Sequence, residues 1–258
     1  MSKKNLVIIN NEKIYKKENK FYCDNIDLKT LPDELNKNFK VTLITRKSKT
    51  KRSRLLNLIN VKISSNIFSF LFNILKTFKE NNSNYLIVSI TPYTFFSYLI
   101  LFIFNKKIFV YLRSDGYEEY KSILGFYGPA IYYLMFKTVT FKSKIIKCQD
   151  RLFTKRKSNL VFPSELDPLW LKNLNKAALD KARLLYVGRV KVEKGIFSLA
   201  KIFDDINNNV SLSIVGKVEN KNFDNKKILF INYEHDTNRL IKIYDDHNIF
   251  ILPSFTEA

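Results

Sequence analysis

Short apolar runs alternate with polar or helical segments along the carboxyl-terminal part of the chain. The runs cover residues 184–187, 211–215, 228–231 and 249–252, and glycine or proline follows most of them. Such runs are typical of strands that a parallel sheet buries on both faces. Between the first two runs, apolar residues recur at helical spacing, at Ile196, Leu199, Ala200, Phe203 and Ile206. The pattern predicts an α/β unit of alternating strands and helices.

The same alternation fills the amino-terminal part. Apolar runs predict strands at 6–9, 41–45, 61–64, 86–90, 107–113 and 143–148. Helices are predicted around 31–38, 68–78 and 95–104. Between the first strand and about residue 27 the chain is polar and contains no glycine. The amino-terminal part is therefore a second α/β unit, and 258 residues suffice for two domains.

Two uncharged stretches have more than one interpretation. Residues 86–104 are long enough for a membrane span, but the β-rich start and the Thr91–Pro92 pair favour a buried strand, a turn and a buried helix. Residues 123–136 are aromatic and uncharged, and lysines follow them at 137, 142, 144 and 147. This second stretch predicts either a helix seated on a membrane surface or a core helix with a solvated end.

The charge balance points to an anionic partner. The chain has 44 Lys and Arg against 24 Asp and Glu, a net charge of +20. Nucleic acid, an anionic membrane and phosphorylated substrates all fit this field. Residues 46–54 have a cation at six of nine positions, which indicates either a solvated loop or a patch on anionic lipid headgroups. No aromatic-stacking or recognition-helix pattern surrounds them, so nucleic acid is the less favoured partner.

Cysteine and histidine are sparse. Cys23 and Cys148 are too few and too far apart for a disulfide framework or a zinc site, which favours a reducing cytoplasm. His235 and His247 stand alone as well. We therefore expect no metal.

Residues 184–195 combine a strand, a glycine turn, two cations and a helix start. Gly188 and Arg189 follow the strand, and Lys194 and Gly195 precede the helix. The unpaired N–H groups and positive dipole end of a helix form an anion site, and two cations there suit a diphosphate. An ordinary solvated turn is an equally good interpretation of this spacing.

A second candidate group follows the strand at 107–113. Loops at the carboxyl ends of parallel strands face the ligand crevice of an open α/β sheet, so Arg113 and Asp115 are candidates for acceptor contact or general-base chemistry. The alternative is a simple turn in which Asp115 caps the next helix.

The order GRVKVEKG, SIVGK and IFILPSFTEA resembles the donor-binding domain of the retaining, GT-B-fold glycosyltransferases known as glycosyl transferases group 1 (family 4). The resemblance is specific over residues 184–258. Over the residues before them it rests on the organisation of the predicted strands and helices and on weaker signals. It implies an α/β chain of two Rossmann-like domains (GT-B), the second incomplete. We place the amino-terminal, acceptor-side domain at 1–167, a linker at 168–182 and a partial sugar-nucleotide-binding domain at 183–258.

The resemblance also implies an activity. A sugar would move, with retention, from a nucleotide-diphosphate sugar to a glycan or lipid-linked acceptor in cell-surface polysaccharide synthesis, at the inner face of the cell membrane. No metal or other cofactor is implied. Arg189, Lys194 and Glu257 would be catalytic, Glu257 by accepting hydrogen bonds from sugar hydroxyls. The implied donor-binding residues are Gly188, Arg189, Lys194, Gly195, Gly216 and Glu257.

This chain departs from the family's pattern at three points. It has no glycine-rich loop after the first strand, since its first glycine is Gly116, and it has no histidine where many relatives carry one. The second glutamate of the family's pair would lie beyond Ala258. We therefore expect a mobile second domain and no transfer from the chain as given. The alternative functions are a basic membrane-associated or nucleic-acid-binding protein without catalysis, or an integral membrane protein.

Overall fold

A computed structural model of the chain describes residues 3–52, 54–80, 82–154, 156–162, 168–172, 174, 176–178, 180–190, 192–206, 209–217, 227–234 and 236–254. Contacts divide the chain into two compact units, unit 1 at Met1–Glu165 and unit 2 at Leu166–Glu257. Residues 168–182, which we predicted as a linker, therefore group with unit 2. In this segment the carbonyls of Ala178 and Lys181 each accept a hydrogen bond from Asn248 Nδ2, both at 2.6 Å.

Unit 1 is a sheet with helices on both faces. Its described strands are β1 (Lys4–Lys17), β2 (Lys20–Cys23), β3 (Phe39–Lys47), β4 (Arg54–Leu56), β5 (Val61–Ser64), β6 (Asn84–Val88), β7 (Lys107–Leu112), β8 (Lys144–Lys147) and β9 (Asn159–Leu160). Its helices are α1 (Ile26–Asn38), α2 (Ile67–Leu75), α3 (Pro92–Ile103), α4 (Gly116–Leu124) and α5 (Gly128–Thr140). The parallel strands run in the order β5-β3-β1-β6-β7-β8-β9. The strand order therefore reverses between β1 and β6, as in doubly wound folds.

The two faces of this sheet bury different residues of the same strands. Val7 and Ile9 of β1 belong to a core with α2, α3, α4 and α5, whereas Leu6 and Ile8 belong to a core with α1. Successive side chains of a strand point to opposite faces, so a continuous apolar run supplies both cores.

The uncharged stretch at 86–104 forms a strand and a helix, as we predicted. β6 ends at Val88, and Thr91 opens α3 with a capping box to Thr94 and a proline in the first turn. Among the described residues, no helix combines the length and hydrophobicity needed to cross a bilayer.

The polar stretch after the first strand, where the apolar runs indicate no element, is regular structure. β1 continues to Lys17 through a register shift between Ile9 and Lys13, then forms an antiparallel hairpin with β2. Glu18 and Asn19 form the turn with φ of 46° and 63°, the left-handed values of a type I′ hairpin. β2 pairs in turn with the distant β4, a contact that local patterning does not encode.

Unit 2 has the four strands that the apolar runs predicted. They are β10 (Ala182–Val187), β11 (Val210–Val215), β12 (Ile228–Ile231) and β13 (Ile249–Phe250), all parallel, in the order β12-β11-β10-β13. The helices are α6 (Ile196–Asp204) and α7 (Thr237–Asp245). Tyr186, Ile196, Phe203 and Ile214 form the centre of its core. The predicted helical stripe packs α6 onto the sheet.

Candidate functional site

The turn between β10 and α6 has the predicted sequence of strand, turn and helix. Gly195 immediately precedes α6 with φ 67° and ψ 8°, a left-handed conformation that glycine adopts without a steric penalty. Its N–H donates to the Val192 carbonyl, and its own carbonyl accepts from Leu199 N–H, both at 2.9 Å. These bonds set the direction in which the helix leaves the turn.

Three strand ends of unit 2 come into backbone contact through glycine. A Cβ on Gly216, after β11, would lie 2.0 Å from the carbonyl oxygen of Gly188, after β10. A Cβ on Gly195 would lie 1.9 Å from the carbonyl oxygen of Pro253, after β13. Only glycine permits these approaches. The structure therefore brings Gly188, Gly195 and Gly216 together at the carboxyl edge of the sheet, beside the start of α6.

The cations of this turn are accessible. Arg189 is exposed and Lys194 is partly exposed. The buried Tyr186 donates its hydroxyl to the Arg189 carbonyl at 2.9 Å, which holds the backbone that carries the guanidinium. Ser254, directly after Pro253, has a buried hydroxyl oxygen without a hydrogen-bond partner in the structure. Glu257 lies outside the described residues, so its role stays a prediction.

Unit 1 has a cavity of about 530 Å³ at the carboxyl ends of its central strands. Its charged lining consists of Glu12, Lys13, Arg46, Arg52, Arg113 and Glu119. The Arg46 guanidinium lies 4.4 Å from the Tyr93 ring centroid and donates to Asn11 Oδ1 at 3.3 Å. Arg52 forms an ion pair with Asp24 and donates from Nε to Ser48 Oγ at 3.1 Å.

The cationic stretch 46–54 is thus partly a cavity wall. We interpreted it as a mobile loop or a lipid patch, and neither interpretation anticipated that Arg46 and Arg52 line a cavity. Charge density along the chain does not show the direction of a side chain. The pairing of β3 with β1, and of β4 with β2, determines that direction here.

The two acceptor-side candidates have different surroundings. Arg113 lines the cavity and forms an ion pair with Asp27 in the first turn of α1. Asp115 Oδ1 accepts the Tyr117 backbone N–H at 3.0 Å and caps α4. The capping interpretation of Asp115 is therefore confirmed, whereas catalytic roles for both residues remain predictions.

Ser89 is a wall residue that sequence reasoning missed. It follows β6 with φ 61°, which is uncommon for a residue other than glycine, and it lines the cavity. Its N–H donates to the Tyr111 carbonyl and its carbonyl accepts from Thr94 Oγ1, both at 2.9 Å. Residues held in such conformations cluster at functional sites. Nothing in the local sequence, such as a glycine, indicates this turn.

Burial raises the pKa of two ionisable groups in this part of unit 1. One is the hydroxyl of the lining residue Tyr132, which is protonated at neutral pH even at its ordinary pKa. Burial also raises the pKa of the Cys148 thiol, which donates to the Arg113 carbonyl at 2.9 Å. Cys148 is therefore a structural contact of the Arg113 loop, because a neutral thiol is a poor nucleophile.

Within the described residues, no three His, Cys, Asp or Glu side chains cluster in a way that could hold a metal ion. His247 forms hydrogen bonds to Ser213 Oγ at 2.8 Å and to the Ile243 carbonyl at 2.6 Å. This ring joins α7 to β11. His235 lies outside the described residues.

No protein-family model matches the chain, and no curated protein matches it. Solved structures do match its fold. The apo form of the lipopolysaccharide outer core galactosyltransferase WaaB is 13% identical with a TM-score of 0.63, over 98% of this chain and 75% of that one. The OtsA apo structure is 9% identical with a TM-score of 0.58, over 98% and 79%.

The UDP-GlcNAc 2-epimerase from Methanocaldococcus jannaschii is also similar. It is 15% identical with a TM-score of 0.53, over 93% of this chain and 76% of that one. At such identities the likeness concerns the fold. The fold is GT-B, with two Rossmann-like α/β domains in succession.

Proposed function

We propose, on the basis of this GT-B fold, that the chain is a glycosyltransferase that takes its sugar from a nucleotide-diphosphate sugar. The observation that carries the proposal is the turn between β10 and α6, where the exposed Arg189 and the partly exposed Lys194 flank the start of the helix and Gly195 adopts the left-handed conformation that precedes it. The fold neighbours include a galactosyltransferase and a UDP-GlcNAc 2-epimerase, and the name of the second contains a sugar nucleotide.

The proposed reaction places the donor diphosphate at this turn. When the bond between the sugar and the diphosphate breaks, negative charge develops on the phosphate oxygens. The N–H groups and positive dipole end of α6 stabilise that charge, and Arg189 and Lys194 add two cations. Gly188, Gly195 and Gly216 support the site indirectly, because the absence of a Cβ lets the strand ends around the turn pack closely. By resemblance, the transfer retains the sugar's configuration, and Glu257 accepts hydrogen bonds from its hydroxyls.

The acceptor binds, in this proposal, in the unit 1 cavity. Arg113 contacts it there, and Arg46 and Lys13 give the wall an excess of cations near polar groups such as Asn11. A polar, hydroxyl-rich acceptor suits this lining. We propose a glycan or a lipid-linked glycan in cell-surface polysaccharide synthesis, with the chain peripheral on the inner face of the cell membrane.

The donor site is tested by Arg189→Ala and Lys194→Ala. Each variant removes one charged contact to the diphosphate, so each should weaken donor binding and, where the wild type shows transfer, raise the transfer barrier by about 2 kcal/mol. Calorimetric titration with a panel of nucleotide-diphosphate sugars measures binding, and product analysis measures transfer. Lys201→Ala is the matched control, because Lys201 is an exposed cation on the body of α6.

Three results would contradict the proposal. Wild-type binding and turnover in both variants would show that the turn does not bind the donor diphosphate. Interconversion of the donor sugar without transfer would indicate an epimerase. Failure to bind any sugar nucleotide, together with tight and steeply salt-dependent binding to duplex DNA, would favour a nucleic-acid-binding protein without catalysis.

A further inference from the structure

Three neighbouring helices of unit 1 are apolar on the side that faces away from the core. In α2, Phe70 and Ile74 are buried, whereas Phe68, Phe72 and Leu75 form an exposed stripe at helical spacing. Phe96 and Ile103 of α3 and Ile131 and Leu134 of α5 are exposed in the same way. The exposed fractions reach 81% for Phe68, 74% for Ile103 and 64% for Leu134. We call these seven residues the apolar face.

The apolar face is continuous because its helices are adjacent. α3 packs against both α2 and α5, and α5 packs against α4. The last two residues of α4 and its connection to α5 add four exposed apolar side chains, Ile123, Leu124, Phe126 and Tyr127, of which Phe126 is 91% exposed. Soluble monomers rarely leave contiguous apolar patches of more than a few hundred Å² uncovered. A surface of this kind indicates a partner.

The helix on the other side of the sheet provides an internal comparison. α1 buries Leu28 against its own core and presents Glu34, Lys37 and Asn38 to solvent. That arrangement is typical of a surface helix in water. The apolar exterior therefore belongs to one side of unit 1 and does not follow from the composition of the whole chain.

Cationic side chains border the apolar face. Across α2, α3 and α5 the only charged side chain is Lys137. Lysine ammonium groups lie beside aromatic rings at the margin, with Lys76 4.4 Å from the Phe72 centroid, Lys142 5.3 Å from Phe102 and Lys137 5.9 Å from Tyr133. Aromatic side chains next to lysines suit the boundary between headgroups and acyl chains of an anionic membrane.

We propose that the apolar face and the α4–α5 connection seat this protein on an anionic lipid bilayer. Phe68, Phe126 and Leu134 enter the acyl boundary, while Lys76, Lys137 and Lys142 meet lipid phosphates. A second copy of the chain would bring like charges together, whereas an anionic surface neutralises them. The inference rests on the peripheral membrane location proposed above. It assigns that location to the helical side of unit 1, since Arg46 and Arg52 of the basic stretch line the cavity.

The test is binding of the full chain to vesicles of equal parts phosphatidylcholine and phosphatidylglycerol. Phe68→Ser, Phe126→Ser and Leu134→Ser should each lower the partition coefficient about tenfold, because each removes a large side chain from the acyl boundary. Lys76→Glu should weaken binding at low salt and have less effect at high salt. Ile59→Ser and Lys40→Glu are the controls, since Ile59 is 90% exposed on the α1 side and Lys40 is an exposed cation.

The possible outcomes distinguish the inference from the proposals it builds on. If the wild type does not bind vesicles, the membrane location itself is wrong. If it binds and the serine variants bind equally well, the location stands and the assignment to the apolar face is overturned. Wild-type dimers that the serine variants dissociate would assign the face to a second copy and also overturn the inference. Sugar transfer is not the readout, so a failed transfer assay leaves the result unaffected.

Discussion

Asp115 illustrates how a side chain at a strand end serves the fold before it serves chemistry. Its carboxylate accepts the Tyr117 N–H at 3.0 Å and satisfies one of the backbone donors that the first turn of α4 leaves open. Arg113, two residues earlier, faces the cavity and forms an ion pair with Asp27. Neighbouring residues of one loop thus have separate roles, which the spacing alone left undecided.

A pair of substitutions separates the two roles of Asp115. Asparagine is as good an N-cap as aspartate, so Asp115→Asn should keep both the free energy of unfolding and the transfer rate close to wild type. Asp115→Ala should lower the free energy of unfolding by about 1 kcal/mol, because it removes the cap. Urea denaturation and steady-state kinetics measure both. A kcat loss of about a hundredfold or more in the folded asparagine variant would instead show general-base catalysis.

At the level of elements, glycine sets how closely the strand ends of unit 2 approach one another. Gly216 packs its Cα against the Gly188 carbonyl, and Gly195 packs against the Pro253 carbonyl. The neighbour of Gly188 is different, since an added Cβ there would lie 2.6 Å from the hydroxyl at the far end of the Tyr186 side chain. A backbone obstacle cannot move without moving a strand, whereas the Tyr186 hydroxyl can shift by a few tenths of an ångström at the expense of its hydrogen bond. The two positions should therefore tolerate a methyl group unequally.

We expect Gly216→Ala to destabilise unit 2 by about 1–3 kcal/mol, since it forces a strand end apart. Gly188→Ala should cost about 1 kcal/mol, mainly through the hydrogen bond from Tyr186 to the Arg189 carbonyl. Trp170, the chain's one tryptophan, packs edge-on to Tyr244 at 5.2 Å and reports unit 2 in urea denaturation by fluorescence. Equal losses of unfolding free energy in the two variants would show that the close approach of Gly216 to the Gly188 carbonyl does not determine the cost of an added methyl group.

Over the whole molecule, each unit has its own hydrophobic core. Two clusters, one on each face of the sheet, lie within unit 1, and a third, built around Tyr186 and Phe203, lies within unit 2. A unit with a separate core is able to unfold as a separate cooperative step. Mutations in one core should therefore act mainly on one step.

This expectation is tested with Phe203→Ala, 2% exposed in unit 2, and Ile8→Ala, fully buried in unit 1. Phe203→Ala should lower the stability reported by Trp170 fluorescence by about 3–5 kcal/mol. Ile8→Ala should shift the far-UV circular dichroism transition by about 2–5 kcal/mol and leave the fluorescence transition in place. A single transition that both variants shift equally, whether it is followed by circular dichroism or by fluorescence, would mean that the chain unfolds as one unit.

The sequence alone determined the order of strands and helices that make the fold. Runs of apolar residues predicted β6, β7 and β10–β13, and the helical stripe from Ile196 to Phe203 predicted α6. The pattern of residues 184–195 also predicted the turn that contains Gly188, Arg189, Lys194 and Gly195. These features are local, because the periods of strands and helices are properties of a few consecutive residues.

Tertiary structure decided what depends on residues far apart in the chain. The β1–β2 hairpin is held by β4, the guanidinium of Arg46 reaches the cavity through the pairing of β3 with β1, and Gly195 meets Pro253 only after β13 docks on β10. The apolar exterior of α2, α3 and α5 likewise depends on the tertiary structure. An apolar residue looks alike in sequence whether it packs inward or outward, and only the sheet beneath the helices distinguishes the two sides.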